Sequence, residues 1–218
     1  EDELKDFGEE RCGLLTPIGK SWISDLSVEL TSTAIQVYGG MGYVEETGIA
    51  QYFRDARIAP IYAGTNGIQA LDLLLRKIPL DGGKAISKLF SEMESTVSEV
   101  EKLENFDHLS KTLKFHIKEL KNVTESITSL LIDGDLADAS GSATPFLKMF
   151  GQVLGGHYMG KALVKAHKKF TESNDEFYKD KITLSKFYIE QLLPLASGYK
   201  DAVKSGSKDL FKIKSDSF

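Results

Sequence analysis

The sequence has very little cysteine: Cys12 is the single thiol among 218 residues. One cysteine cannot form an internal disulfide, which fits a reducing compartment and leads us to expect a cytoplasmic protein. No activating partner for the thiol can be identified in the sequence. We therefore expect Cys12 to be inert.

Long apolar runs are missing as well. No stretch of about 18 apolar residues occurs, so the sequence contains no candidate membrane span and we expect no membrane partner. The first residues, EDELKDFGEE, are acidic and have neither the basic nor the apolar segment of a signal peptide. They also lack an initiator methionine, which predicts that the chain is a segment of a longer polypeptide.

A basic surplus and a metal-ligand pattern are also absent. The net charge is −5 and the pI about 5.5, which argues against a protein that holds nucleic acid through its phosphates. No His-x3-His or Cys/His spacing occurs, so we predict no metal site. We expect solvated or core-edge positions for the four histidines, His108, His116, His157 and His167.

No segment alternates with the period of a strand, whereas helical periodicity runs through most of the chain. Thr16-Pro17 is typical of a helix start, and Gly39-Gly40 of a helix end. The apolar stripe predicted between them is Trp22, Leu26, Leu30, Ala34 and Val37. A loop is predicted over residues 41–64, followed by a helix capped by Thr65 or Asn66 with a stripe at Ile68, Leu71, Leu75 and Ile78.

A second helical block follows the linker PLDGG. Its first two stripes are Ile86, Leu89, Met93, Val97, Val100 and Leu103, then Leu109, Leu113, Leu120, Ile127 and Leu131. Residues 133–145 form a polar break, and residues 145–170 a helix whose several glycines predict close backbone packing. The last helix, 179–204, is predicted to kink or split at Pro194, and the tail to fray. The fold class is therefore all-α, with domains over 1–80 and 84–204 and a tail over 205–218.

Three short motifs have both a functional and a purely structural interpretation. QVYGGMGY, residues 36–43, is either a tight turn after a helix or a backbone surface open to phosphate oxygens. YFRDARIAP, residues 52–60, is interpreted as an Arg–carboxylate brace. YAGTNGIQ, residues 62–69, is either a simple helix cap or a helix start that receives an anion or a developing oxyanion.

Together and in this order the motifs are far more specific. The stretch QVYGGMGYVEETGIAQYFRDARIAPIYAGTNGIQALDLLLRKI resembles the C-terminal helical domain of the acyl-CoA dehydrogenases, FAD-dependent enzymes that desaturate acyl-CoA thioesters. SATPFLKMFGQVLGGHYMGKAL and KITLSKFYIEQLLPLASG are similar to the extra helical domain of a longer subgroup that includes 3-methylmercaptopropionyl-CoA dehydrogenase. The resemblance implies an acyl-CoA substrate, an electron-transfer flavoprotein or similar electron acceptor, and a homodimer or homotetramer.

The resemblance also implies roles for particular residues. It places the FAD of a neighbouring subunit against Gln36, Val37, Tyr38, Gly39 and Gly40. It places the flavin's phosphate and adenosine half beside Thr65, Asn66 and Gly67, and the substrate at Gly64.

Ala63 departs from the family pattern. It stands where many members carry the glutamate that removes the α-proton of the thioester while the β-hydrogen leaves as hydride to the flavin. A methyl group accepts no proton, so only the backbone N–H retains a role, in holding the thioester carbonyl. The carboxylate has been removed by substitution, lost naturally, or moved upstream of residue 1, as in two other branches of the family. A non-catalytic helical interaction module is the alternative function.

Overall fold

The computed structural model describes the backbone of residues 2–210 and 212–217 and contains no β-strand in that part of the chain. The all-α prediction is therefore confirmed. The chain divides into two compact units, Glu1–Lys77 and Ile78–Phe218.

The first unit is built on one long helix, α1 (Asp2–Tyr38). The predicted start at Thr16-Pro17 is wrong, because the helix runs through Pro17. Pro17 has no N–H to donate within the helix, and the hydroxyl of the neighbouring Thr16 donates to the carbonyl of Cys12 over 2.7 Å. The predicted end at Gly39 is confirmed, since this residue has φ 62 and ψ −145, a conformation that favours glycine.

The buried face of α1 differs from the predicted stripe. Leu14 and Ile18 are each only 1% exposed, whereas Leu30 is 66% and Val37 79% exposed. Three further elements pack on α1: α3 (Ile49–Ile58), α4 (Asn66–Asp72) and the π-helical turn Leu73–Lys77.

The predicted loop over 41–64 is wrong for much of its length. It contains α2 (Gly40–Tyr43), the 3-10 turn Glu45–Thr47 and the whole of α3. The predicted stripe after Thr65 is also displaced, because Ile68 is 55% exposed and the π turn rotates Leu73 and Leu74 into the core instead.

The second unit is centred on α5 (Lys84–Glu101), α6 (Asp107–Ile132) and α8 (Ala143–Ser173), which pack on one another. The apolar periods predicted for α5 and α6 are confirmed, since all of their members are buried except Leu103 and Leu131, which are half-buried. The predicted polar break is partly helical, because α7 (Leu136–Gly141) forms inside it with Asp135 as its cap.

Two of the four glycines of α8, Gly156 and Gly160, lie at close contacts with neighbouring elements, as predicted. A Cβ placed on Gly160 would lie 2.9 Å from Thr96 Cγ2, and one on Gly156 would lie 3.0 Å from Leu193 Cδ2. These positions have no room for a side chain, which is how α8 approaches its neighbours so closely.

The last helical stretch splits near Pro194, as predicted. α9 (Glu176–Phe187) continues into the π turn Tyr188–Leu192 and the 3-10 turn Leu193–Tyr199, and α10 (Lys200–Ser205) follows. The prediction of a fraying tail is wrong at its start, because Asp138 accepts hydrogen bonds from the amide and the hydroxyl of Ser207 over 2.8 and 2.6 Å. These bonds lower the pKa of the Asp138 carboxyl.

Two of the four histidines are buried, which contradicts the predicted solvated or core-edge positions. His157 is fully buried and His116 is 4% exposed. Burial lowers the pKa of His116, since the charged imidazolium loses hydration there.

Candidate functional site

The turn between α3 and α4 contains the predicted substrate and catalytic positions. Ala63 has φ 55 and Gly64 φ 75, so two consecutive residues adopt the left-handed conformation and reverse the chain. The amide of Asn66 donates to the carbonyl of Pro60 over 3.1 Å and closes the turn. Thr65 caps α4, its hydroxyl accepting from the amide of Ile68 over 3.4 Å, and the exposed Gly67 lies in the first turn of α4.

Lys20, on α1, donates hydrogen bonds to this turn and so attaches it to the helix. Its Nζ donates to the carbonyl of Gly64 over 2.7 Å, to Asn66 Oδ1 over 2.8 Å, and at 3.4 Å to the carbonyl of Pro60. An ammonium that donates to two carbonyls of one turn fixes the position of that turn relative to the helix that carries the lysine.

Asn66 completes the attachment. Its Nδ2 lies 2.7 Å from Asp25 Oδ1, 3.0 Å from the Ser24 hydroxyl and 3.1 Å from the Ser21 carbonyl. The side chain is thus directed into α1, which gives Asn66 a structural role. The cofactor contact predicted for it stays a prediction.

Gln69 supports the turn from the other side, its Nε2 donating to the carbonyl of Ala63 over 3.0 Å. Among the described residues, no acceptor takes the backbone N–H of Ala63 or Gly64. Both residues are exposed. The turn therefore presents two uncommitted donors while its carbonyls are tied down.

Sequence reasoning missed Lys20, Asp25 and Gln69. A signal was available in α1, where Ser21, Ser24 and Asp25 follow Leu14 and Ile18 on one face. Polar groups within a buried stripe need partners, and their partner is a side chain more than 40 residues away.

The second predicted cofactor segment ends α1. Gln36, Val37 and Tyr38 are exposed, and neither Gly39 nor Gly40 has a neighbouring atom within 4 Å of an added Cβ. Beside this segment lies a groove of about 640 Å³. It is lined by Ile35, Tyr43, Val44, Glu45, Glu46, Ala50, Phe53 and Arg54.

The structure keeps the two segments apart. The turn attaches to α1 no further along than Asp25, and Gln36 lies 11 residues later. At 1.5 Å per residue the separation along the helix axis is about 16 Å. One short ligand group cannot touch both segments of the same chain.

The predicted Arg–carboxylate brace is present, but its acid, Glu45, lies outside the stretch YFRDARIAP rather than being the adjacent Asp55. Arg54 donates from both terminal nitrogens to Glu45 over 2.9 and 3.1 Å and so ties α3 to the 3-10 turn before it. Both side chains are exposed, so the ion pair positions the turn and contributes little to the free energy of unfolding.

Within the described residues, no three acidic, histidine or cysteine side chains cluster as metal ligands would. Nor does any helix of that part combine the length and the apolar character that crossing a bilayer requires.

Two family models match the chain. "Acyl-CoA dehydrogenase, C-terminal domain" matches residues 3–77, and "Acetyl-CoA dehydrogenase C-terminal like" matches residues 89–214. The second match alone extends over more than half of the 218 residues.

Two relatives are similar to this chain over most of its length. 3-Methylmercaptopropionyl-CoA dehydrogenase of Ruegeria pomeroyi is 31% identical over 196 residues, 88% of this chain and 33% of that protein. A butyryl-CoA dehydrogenase of Syntrophomonas wolfei is 26% identical over 218 residues, 94% of this chain and 34% of that protein. The chain spans about a third of the length of these relatives.

A solved structure shares the fold. The crystal structure of Caenorhabditis elegans ACDH-11 in complex with C11-CoA superimposes with a TM-score of 0.60 at 22% identity, covering 86% of this chain and 30% of that one. With both domain models matched and the helical fold in common, the chain belongs to the acyl-CoA dehydrogenase family.

Proposed function

We propose that this chain is the C-terminal helical portion of an FAD-dependent enzyme that desaturates an acyl-CoA thioester between its α and β carbons. We further propose that Ala63 occupies the position of the general base, so that the protein binds its thioester without an effective proton acceptor there. The observation that carries the proposal is the anchored turn with its uncommitted Ala63 N–H.

The turn suits a thioester carbonyl. The Ala63 carbonyl is occupied by Gln69 and the Gly64 carbonyl by Lys20, so the turn's backbone is held from both sides. An N–H that is fixed in advance stabilises the enolate oxygen that forms when the α-proton leaves. Lys20 adds a positive charge on the far side of Gly64, which favours the same negative charge.

The chain's surfaces also fit a flavin. The segment from Gln36 to Gly40 presents bare backbone at its two glycines, with no side chain in the way of a close approach. FAD, when bound, supplies the acceptor for the β-hydride. We propose that the segment from Gln36 to Gly40 serves the flavin of a neighbouring subunit, as the family resemblance implies.

The substrate proposal rests on the relatives. The Ruegeria relative is named for 3-methylmercaptopropionyl-CoA, and ACDH-11 was solved with C11-CoA. We propose an acyl-CoA as the substrate class, with the methylthio-substituted propionyl thioester as the first candidate. Electron-transfer flavoprotein or a similar acceptor, and a homodimer or homotetramer, complete the proposal.

Replacing Ala63 tests the proposal directly. Ala63→Glu in the intact protein that carries this chain should accelerate acyl-CoA-dependent bleaching of the flavin by about 10²–10⁴-fold, the usual contribution of a general base. Alanine and glutamate share the same Cβ, so the left-handed backbone is no more strained by the change.

Ala63→Gln is the matched control, because it has the size of glutamate and no basic carboxylate. It should leave the rate near that of the parent protein. Equal rates for Ala63→Glu, Ala63→Gln and the parent would contradict the proposed position of the base. Rapid bleaching in the parent would then indicate a base elsewhere, and no bleaching in any variant would favour the non-catalytic module.

A further inference from the structure

Helix α9 has two apolar faces, and only one of them is used within its unit. Ser185 and Ile189, in α9 and the turn that follows, are buried. Phe177, Leu184 and Phe187 are instead 57%, 54% and 54% exposed. Three large apolar side chains on one short helix form a surface that no described residue covers.

Two opposite charges lie on the same exposed face. Phe177, Asp180, Lys181 and Leu184 follow the spacing i, i+3, i+4 and i+7, which places them on one side of a helix. Lys181 Nζ lies 5.3 Å from the centroid of the Phe177 ring, so its ammonium stays over this face. We name these four residues the α9 stripe.

The α9 stripe is complementary to itself. When two copies of α9 run antiparallel about a two-fold axis between positions 180 and 181, Asp180 of one copy lies opposite Lys181 of the other, and the reverse. In the same register Phe177 lies opposite Leu184 at both ends. A surface whose apolar and charged positions match after a two-fold rotation is what an isologous interface requires.

We propose that the α9 stripe binds the α9 stripe of a second copy of this chain in antiparallel orientation. The charges favour this occupant over an anionic lipid surface, because Asp180 at the centre of the stripe would be repelled by the lipid and is paired by the second copy. Phe187 extends the apolar surface beyond Leu184 by three residues and in this register lies opposite Asn174, just before the second α9.

The contact is expected to be weak by itself. One pair of 12-residue helices buries less than the roughly 1,200–2,000 Å² of a standard stable interface. We therefore expect a dimer that forms reversibly, with a dissociation constant in the micromolar range or above.

Charge reversal gives a sharp test by sedimentation equilibrium over a concentration series. Asp180→Lys places two lysines at the centre of each stripe, and Lys181→Asp places two aspartates there. Each variant alone should dimerise about tenfold more weakly than the parent or worse, because like charges then face each other. An equimolar mixture should restore the parent's dissociation constant, because lysines again face aspartates.

Lys179→Asp is the matched control, since it changes the net charge as Lys181→Asp does, on the same helix but away from the stripe. It should dimerise like the parent, and far-UV circular dichroism should show equal helix content in all variants. Single variants that dimerise as tightly as the parent overturn the proposal, because the dimer then forms through another surface, and so does a parent that is monomeric throughout the series. So does a mixture that remains as weak as the single variants.

Discussion

At the scale of single residues, Asn66 shows how one side chain holds a site in place. Its carboxamide contacts Lys20, Ser24 and Asp25 and joins a turn to a helix 41 to 46 residues earlier. Because the amide both donates and accepts, no apolar residue of similar size could replace it without leaving charged partners unsatisfied.

Asn66→Ala should therefore lower the free energy of unfolding of the first unit by about 1–3 kcal/mol. Trp22 is the single tryptophan and lies on α1, so its fluorescence during urea unfolding reports on this unit. Gln51→Ala, at an exposed position of α3, is the control and should change the value by less than about 0.5 kcal/mol. Equal effects of the two changes would show that the Asn66 contacts add nothing.

Ala63, in contrast to Asn66, contributes through its backbone and not through its side chain. Its side chain has no chemistry, and the residue matters through its backbone, whose carbonyl accepts from Gln69 and whose N–H is uncommitted. The family resemblance predicts a carboxylate at this position, and the structure shows a turn that is held by Gln69 and Lys20 with alanine there.

At the scale of elements, the packing of α8 depends on glycines, which have no side chain at its closest contacts. Its glycines cost helix propensity, about 1 kcal/mol each relative to alanine, and the close approach of its neighbours offsets that cost. Gly160 lies against Thr96 of α5 and Leu113 of α6. Both neighbours are β-branched or packed in the core, so neither can move aside easily.

Gly160→Ala should destabilise the second unit by about 1–3 kcal/mol through overpacking, although alanine is the better helix former. Far-UV circular dichroism during urea unfolding measures the change. Gly198→Ala is the control in the same unit, because an added Cβ there meets nothing within 4 Å. Stabilisation by Gly160→Ala would mean that the contact is looser than the structure indicates.

The elements also show where sequence periodicity succeeds. α5 and α6 are amphipathic helices with one buried face each, so their periodicity predicts their burial well. α1 is different, because apolar side chains in its C-terminal half, such as Leu30 and Val37, are exposed. Periodicity identifies an apolar face, but only packing decides whether anything within the chain covers it.

At the scale of the whole molecule, the chain has about a third of the length of its relatives, and its two candidate flavin surfaces are open and about 16 Å apart. A cofactor held by one such surface buries too little area for tight binding. The activity proposed above therefore belongs to the intact protein.

The isolated 218-residue chain should accordingly bind FAD too weakly to retain it. After incubation with FAD and desalting, we expect no flavin absorbance to co-elute with the chain, and no turnover of acyl-CoA. The intact protein treated in the same way is the control. A yellow preparation of the isolated chain would contradict this prediction.

The sequence by itself determined the helical class, the helix end at Gly39, a helix start at Thr65 or Asn66, the amphipathic faces of α5 and α6, and the family. These depend on residues a few positions apart or on motifs that are contiguous in the chain. Only the tertiary structure decided that Lys20 and Asn66 hold the turn, that Arg54 pairs with Glu45, and that Asp138 binds Ser207. Those contacts join residues between 9 and 69 positions apart, and no local pattern specifies which distant groups meet when apolar faces pack.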